Sequence, residues 1–366
     1  MKKSFLILAV GSAILGFTSC SKDEKIAENN SINDANEISF RTLVNGMTRA
    51  KDISEASDIA TINVYATKTS DASSVYFSNE VFTKDGTTYT SASKHYWPSY
   101  HLDFYAWSAN SVANGDARSQ VTTSAYNSYV VTPSTTAADQ ADFIYATASD
   151  VTKAGSENGV ALAFSHKESR ILVKVKNTAN DLQFEVTGWK LGFMVPNGTW
   201  NGSAWGSLGT ATAATIYTSD FTTAAQTINY HASNTTDLTG SQIMIPQTIT
   251  AASAYATSDN NAAINGAFIG IEFKATNTTA SEVMQTKIWG VWPIPNVTWE
   301  AGKQYTYTID LADGGYYETN QATPSGTSLD AIFDGKLIKF ASLTITDWVT
   351  DLNGNLSADD DINVGM

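Results

Sequence analysis

Cysteine is almost missing from this chain of 366 residues. Cys20 stands alone, so no intramolecular disulfide can form and any core must hold by packing. Arginine is nearly as scarce: Arg41, Arg49, Arg118 and Arg170 are all there are, and lysine supplies the other cations. Acids outnumber bases to a formal net charge of −14, which argues against a nucleic-acid partner and for a self-repelling surface. The four histidines, His95, His101, His166 and His231, show no metal-ligand spacing and have no companion cysteines. There is no G-x-S-x-G elbow, phosphate-binding loop or dinucleotide fingerprint. Beyond the N-terminus no stretch is apolar enough to span a bilayer, and helical periodicity is hard to find. These absences remove the signals of catalysis. The expectation is a protein that is not an enzyme and needs no cofactor or metal.

The N-terminus reads as an address. Lys2 and Lys3 precede an apolar run, "FLILAVGSAILGF", that is short for a membrane span. Small Thr18 and Ser19 then lead to Cys20, a pattern that resembles a bacterial lipobox, with Phe17 where leucine is commoner. Residues 1–19 are expected to be a signal peptide and Cys20 the lipidated residue. Several acyl chains would anchor stably where one would not. Residues 20–36 are polar and charged and are expected to form a flexible tether. Their "SKDE" resembles the acidic signal that sends lipoproteins of Bacteroidales-type bacteria to the outer face of the outer membrane.

Period-two alternation dominates the rest. "HLDFYAW" sets Leu102, Phe104 and Ala106 against Asp103, Tyr105 and Trp107; "SRILVKVKN" sets Ile171, Val173 and Val175 against Lys174 and Lys176. "GWKLGFMV" alternates Trp189, Leu191, Phe193 and Val195. Many short strands without helices between them predict an all-β chain of two β-sandwich domains. The polar "NTANDLQ", near residues 177–183, places the boundary: 37–178 for the first domain and 179–366 for the second, with an acidic tail.

Three local features remain. "NGTWNGSAWGS" puts Trp200 and Trp205 in a polar loop, where they contact a sugar or protein ligand or fold back onto the sandwich edge. His95 and His101 flank "YWPSY" and read as packed or surface imidazoles. "DLNGNLSADDD" imitates a calcium loop through Asp351, Asn353 and Asn355, but Leu356 and Ile362 stand where glycine and glutamate are needed. A solvated acidic tail is the better reading.

The stretches "KHYWPSYHLDFYAWSAN", "VALAFSHKESRILVKVKN", "MIPQTI", "WGVWPIPNVTWEAGKQYTYTIDL" and "LTITDW" resemble the fimbrillin-like proteins of Bacteroidales, lipoprotein precursors of type V pilins. The resemblance runs from the lipobox to "LTITDW". It implies two β-sandwich domains in a transthyretin-like arrangement, display on the outer membrane and cleavage by an arginine-specific protease behind the first strand. The matching bond is Arg49–Ala50. Lipid, tether and strand 37–45 would leave, and a strand from the next fimbrial subunit would fill the groove by donor-strand exchange. Losing a strand that buries Ile38, Phe40 and Val44 would forfeit roughly 5–8 kcal/mol of a domain stability near 5–15 kcal/mol. The replacement has two candidates: Ile362, Val364 and Met366, which alternate correctly behind three aspartates, or Leu343 and Ile345 of "ASLTITDW". The alternative function is a non-polymerising surface lipoprotein, or a fimbrial tip or anchor component, binding glycan or host protein.

Overall fold

A computed structural model describes residues 36–44, 59–109, 120–220, 225–229, 232–250, 266–313, 315–318, 329–332 and 340–348. The first strands are β1 (Phe40–Val44), β2 (Thr61–Lys68), β3 (Asp71–Asp85), β4 (Thr88–Ser91) and β5 (Leu102–Ser108). They are followed by β6 (Val121–Ala125), β7 (Ser128–Val131), β8 (Ile144–Val151) and β9 (Val160–His166). Helix appears among the described residues only as short 3-10 turns such as Ala137–Asp139. None of these is long and apolar enough to cross a membrane.

The all-β expectation holds, but the first unit is a closed barrel rather than two facing sheets. Its order is β1-β4-β3-β2-β5-β8-β9, and β1 returns to β9 to seal it. Closure follows from β1 pairing on both sides, which removes the edges an open sheet would expose. Alternation then decides what points inward. Leu102, Phe104 and Ala106 fill the barrel with Ile62, Val64 and Phe82, as the period of two requires. Trp107 on the opposite face is buried as well, against Tyr129 and Phe143, because a second layer covers it.

The chain continues through β10 (Ser169–Asn177), β11 (Leu182–Gly192), β12 (Gly198–Trp200), β13 (Trp205–Gly206), β14 (Ile216–Asp220) and β15 (Gln226–Ile228). Next come β16 (Ala232–Asp237), β17 (Gln242–Met244), β18 (Thr248–Ile249), β19 (Phe268–Asn277) and β20 (Glu282–Pro293). The last are β21 (Val297–Thr298), β22 (Lys303–Asp310), β23 (Gly315–Glu318), β24 (Leu329–Ile332) and β25 (Phe340–Asp347). One sheet runs β16-β10-β22-β25, with β17 also on β10; the other runs β14-β11-β19-β20-β23-β24, with β15 on β11. Between them lies a core that includes Ile171, Val173, Val175, Trp189, Ile271 and Tyr307.

Two sequence expectations change here. The strand β10, placed before the boundary at 178, pairs in parallel with β22 and sends its apolar face into the later core. The change of sheet therefore falls at Lys167–Glu168, between β9 and β10. Alternation also breaks at Phe193, whose φ of 65° turns the chain, so Met194 takes the core position and Val195 only borders a core. The two halves are stitched by a sheet of order β13-β12-β7-β6, in which β12 of the later half pairs with β7 of the earlier one.

Candidate functional site

β1 has an asymmetric seat. Five consecutive residues, Phe40–Val44, pair in parallel with Val160–Phe164 of β9, whereas among the described residues the β4 ladder reaches β1 at the single pair Tyr89–Phe40. Just upstream, the chain from Lys94 to Trp97 replaces β4 as the antiparallel partner. Ile38 N–H donates to the His95 carbonyl at 2.7 Å, and Trp97 N–H donates to the Asn36 carbonyl at 3.0 Å. On the other side Val160 N–H donates to the Ser39 carbonyl at 2.8 Å. Ile38 and Phe40 are the knobs, at 1% and 0% exposure. The Phe40 ring sits edge-on to Phe82 at 4.8 Å and to Phe104 at 5.1 Å. Gly159 lets the strand come this close: its φ is +87°, and a Cβ there would stand 3.0 Å from the Phe40 carbonyl carbon.

Two lysines stand at the mouth of this seat. Lys94 Nζ lies 2.9 Å from Glu37 Oε2, with the acid's side chain only 5% exposed. Lys153 Nζ donates to Asn36 Oδ1 at 3.3 Å. The strand is thus held by apolar knobs in the barrel and by polar contacts at its entry.

β9 carries the seat into a second buried cluster. Among the described residues β8 pairs with β9 only at Ile144–His166 and Tyr145–Ser165, so β1 provides most of β9's ladder. His166 Nδ1 and Asp142 Oδ2 share a hydrogen bond of 2.6 Å, and the His166 ring stacks on Trp348 at 3.9 Å and 12°. Glu168 accepts from Phe143 N–H at 2.8 Å through its carboxylate, and its carbonyl accepts from Gly302 N–H at 2.9 Å. Burial, and then the neighbouring Asp142 charge, push the Glu168 carboxyl well above its ordinary value of 4.5, with the Phe143 N–H opposing them. Below about pH 4 folded and unfolded chains both hold this proton. As pH rises the unfolded chain releases it first, so the Glu168 contribution falls through the raised folded pKa. Glu168→Gln cannot ionise in either state. Urea melts should find it more stable than the parent at about pH 8, with the gap closing toward about pH 4. An equal gap at both values would show that the proton is not the cause.

Cys20, Arg49, Ala50, Ile362, Val364 and Met366 lie outside the described residues. Trp200 and Trp205 face each other as β12–β13 partners, with ring centroids 5.8 Å apart. Trp200 is 6% exposed, beside Tyr145 and under Lys167, and Trp205 Nε1 donates to the Lys167 carbonyl at 2.6 Å. Both rings fold back onto the junction. His95 packs against Phe77 at 4.4 Å and His101 pairs at the surface with Asp150 at 2.6 Å, one imidazole of each expected kind. Leu343 and Ile345 border the later core, and β25 pairs along β22. The Asp142, His166, Glu168 and Trp348 cluster went unread in the sequence. Its one signal there was the acid, base and aromatic set gathered in "FSHKESR" and "TDW". No group of three or more His, Cys, Asp or Glu among the described residues could hold a metal.

A family model described as fimbrillin-like matches residues 48–348. The fold resembles a fimbrial protein from Bacteroides vulgatus at 15% identity, covering 86% of this chain and 100% of that one with a TM-score of 0.57. A fimbrilin from Porphyromonas gingivalis aligns at 10% identity over 86% of this chain and 98% of that one, with a TM-score of 0.37. No curated protein matches the chain.

Proposed function

This chain belongs to the fimbrillin-like family, and on that premise we propose that it is a structural subunit of cell-surface fimbriae serving adhesion. In this reading it is exported as a lipoprotein anchored through Cys20, cut at Arg49–Ala50, and joined to other fimbrial subunits by strand exchange. The family is one of structural and adhesion proteins, so the chain is not an enzyme.

The observation that carries the reading is the seat of β1. The strand is short, its knobs are fully buried, and its removal would leave β9 with little ladder and an apolar slot beside Phe82 and Phe104. An open strand edge beside an apolar slot invites another strand. Arg49 follows Val44 by five positions, so one cut separates β1 from everything after it. The family match begins at Thr48 and ends at Trp348, leaving outside it both β1 and the tail that could replace it.

Limited digestion with an arginine-specific protease tests this directly. Arg41 sits in paired β1 and Arg170 is buried in β10. A stable fragment beginning at Ala50 is expected, and concentrated fragment should form SDS-resistant ladders. First cleavage at Arg118 or Arg170 would remove the processing step. A clean Ala50 fragment that stays monomeric would favour a tip, anchor or non-polymerising binding role.

A further inference from the structure

We propose that the β6–β7 hairpin roofs a binding site for a neutral saccharide unit, held by tyrosine hydroxyls against the outer face of the barrel. The site gives the adhesive reading above a ligand class, and it needs neither cleavage nor strand exchange. Its floor is a pair of cross-strand rows. Tyr65 of β2 lies opposite Tyr105 of β5, which lies opposite Thr147 of β8, and two residues along Trp107 pairs with Tyr145. The period of two turns these side chains away from Leu102, Phe104 and Ala106 inside the barrel. The hairpin closes over them. Tyr129 of β7 is edge-on to Tyr145 with ring centroids 5.5 Å apart, and Tyr126 at the turn lies 4.5 Å from Tyr105. The Tyr65 hydroxyl shares a hydrogen bond of 3.1 Å with Thr123 Oγ1 of β6, which ties roof to floor.

The polar tips gathered here lack partners. Burial, and then the nearby Tyr145, Tyr65 and Tyr105 hydroxyls, push the Tyr129 phenol above its ordinary value. Burial, and then Tyr105, do the same to Tyr145. These oxygens therefore share one small volume. Yet the Tyr129 and Tyr145 hydroxyls are both shut off from solvent with no hydrogen bond of ordinary geometry. The same holds for the indole N–H of Trp200, whose ring is edge-on to Tyr145 at 5.9 Å. Gly202 leaves the Tyr145 hydroxyl room, since a Cβ there would stand 3.2 Å from it. Buried Tyr and Trp usually find a partner for the polar tip, and phenylalanine would fill the same space without orphaning one. Three orphaned tips in one cluster are complementary to a guest that carries hydroxyls. Water is the default guest at such positions. The rim argues for a larger one. Tyr105 and Tyr126 are only half-buried, and their tilted rings set an apolar face beside the polar tips. A sugar ring matches that combination with its C–H face and its edge of hydroxyls. The three tips are neutral, and the net charge of −14 disfavours an anion.

The test uses the full-length, uncut chain and a panel of methyl glycosides: glucoside, galactoside, mannoside, fucoside and N-acetylglucosaminide, with methyl glucuronide as the charged comparison. Saturation-transfer NMR and titration calorimetry should find at least one neutral glycoside bound, and bound more tightly than the glucuronide. Tyr129→Phe with Tyr145→Phe keeps both rings and removes both orphaned hydroxyls. That double variant should bind the sugar about tenfold more weakly, while its Tm holds or rises. Tyr126→Ala removes half of the rim and leaves the buried rings alone; it should also weaken binding by about tenfold. No binding across the panel, a preference for the glucuronide, or affinity that the double variant retains would each overturn the site. If the double variant melts lower than the parent, Tyr126→Ala decides, and unchanged affinity there would overturn it. Ladder formation is scored on cut protein, so this site and strand exchange can each fail while the other stands.

Discussion

Phe40→Ala is expected to lower the unfolding free energy of the uncut protein by about 3–5 kcal/mol. The ring is fully buried, and its neighbours Phe82 and Phe104 belong to two other barrel strands that the main-chain ladder holds in place. Such a site collapses poorly, so the vacated volume stays as a cavity. Each edge-on contact adds roughly 0.5–1.5 kcal/mol beyond area burial. Phe40→Leu keeps most of the volume and should cost far less. Denaturant melts of the two variants check this, and hydrogen exchange should locate the loss in β1 and in residues 160–164. A deficit under about 1 kcal/mol for Phe40→Ala would mean that the barrel does not depend on β1 as its geometry requires.

Trp348→Ala should be comparably severe, at about 3–5 kcal/mol, and should also change the shape of the transition. Trp348 is 1% exposed and its ring stacks on His166 of β9, while its backbone N–H donates to the Gly302 carbonyl at 2.7 Å. It thereby fastens the end of β25, in the later sheets, to a strand of the barrel. With the ring gone, the shared sheet through β7 and β12 remains the main stitch between the halves. Melts followed by two probes, one in each half, should then separate. Coincident transitions and a small shift would show that the ring only fills space. Trp348→Phe, which keeps a stacking face for His166, should stay close to the parent.

How much of this was legible in advance follows from what alternation encodes. A period of two tells which side chains share a face, and the faces of β5 and β10 came out as Leu102, Phe104 and Ala106 and as Ile171, Val173 and Val175. It does not tell which strand lies alongside. So β10 falls before the expected boundary at 178 although it pairs with β22, and a barrel reads as a sandwich, because pairing partners are distant in sequence. Local backbone turns also reset the phase, as Phe193 does by taking a positive φ. The strand before Arg49 was readable from "NEISFRTLV", but its slot was not, since Phe82, Phe104 and Gly159 are scattered over three other segments. The acid–histidine–tryptophan junction was invisible for the same reason. The polar loop around Trp200 and Trp205 leaves ligand contact and folding back both open to a local reading. Their burial depends on Tyr145 and Lys167, which no local pattern announces.

The parallel pairing of β1 with β9 sets the order in which the barrel can be made. Arg41 reaches the Gly159 carbonyl across 118 residues of chain, so the closing contact is among the least local in this unit. Contacts of such sequence separation form late and slowly, because the whole intervening loop must be restrained first. The hairpins β2–β3 and β3–β4 and the antiparallel pair β5–β8 can assemble beforehand, each from nearer neighbours. β1 is then the last stave, inserted into a nearly finished wall. In the proposed processing, a protein that loses β1 would share its shape with a barrel that has not yet received β1, so the open slot would be met in folding as well as after a cut.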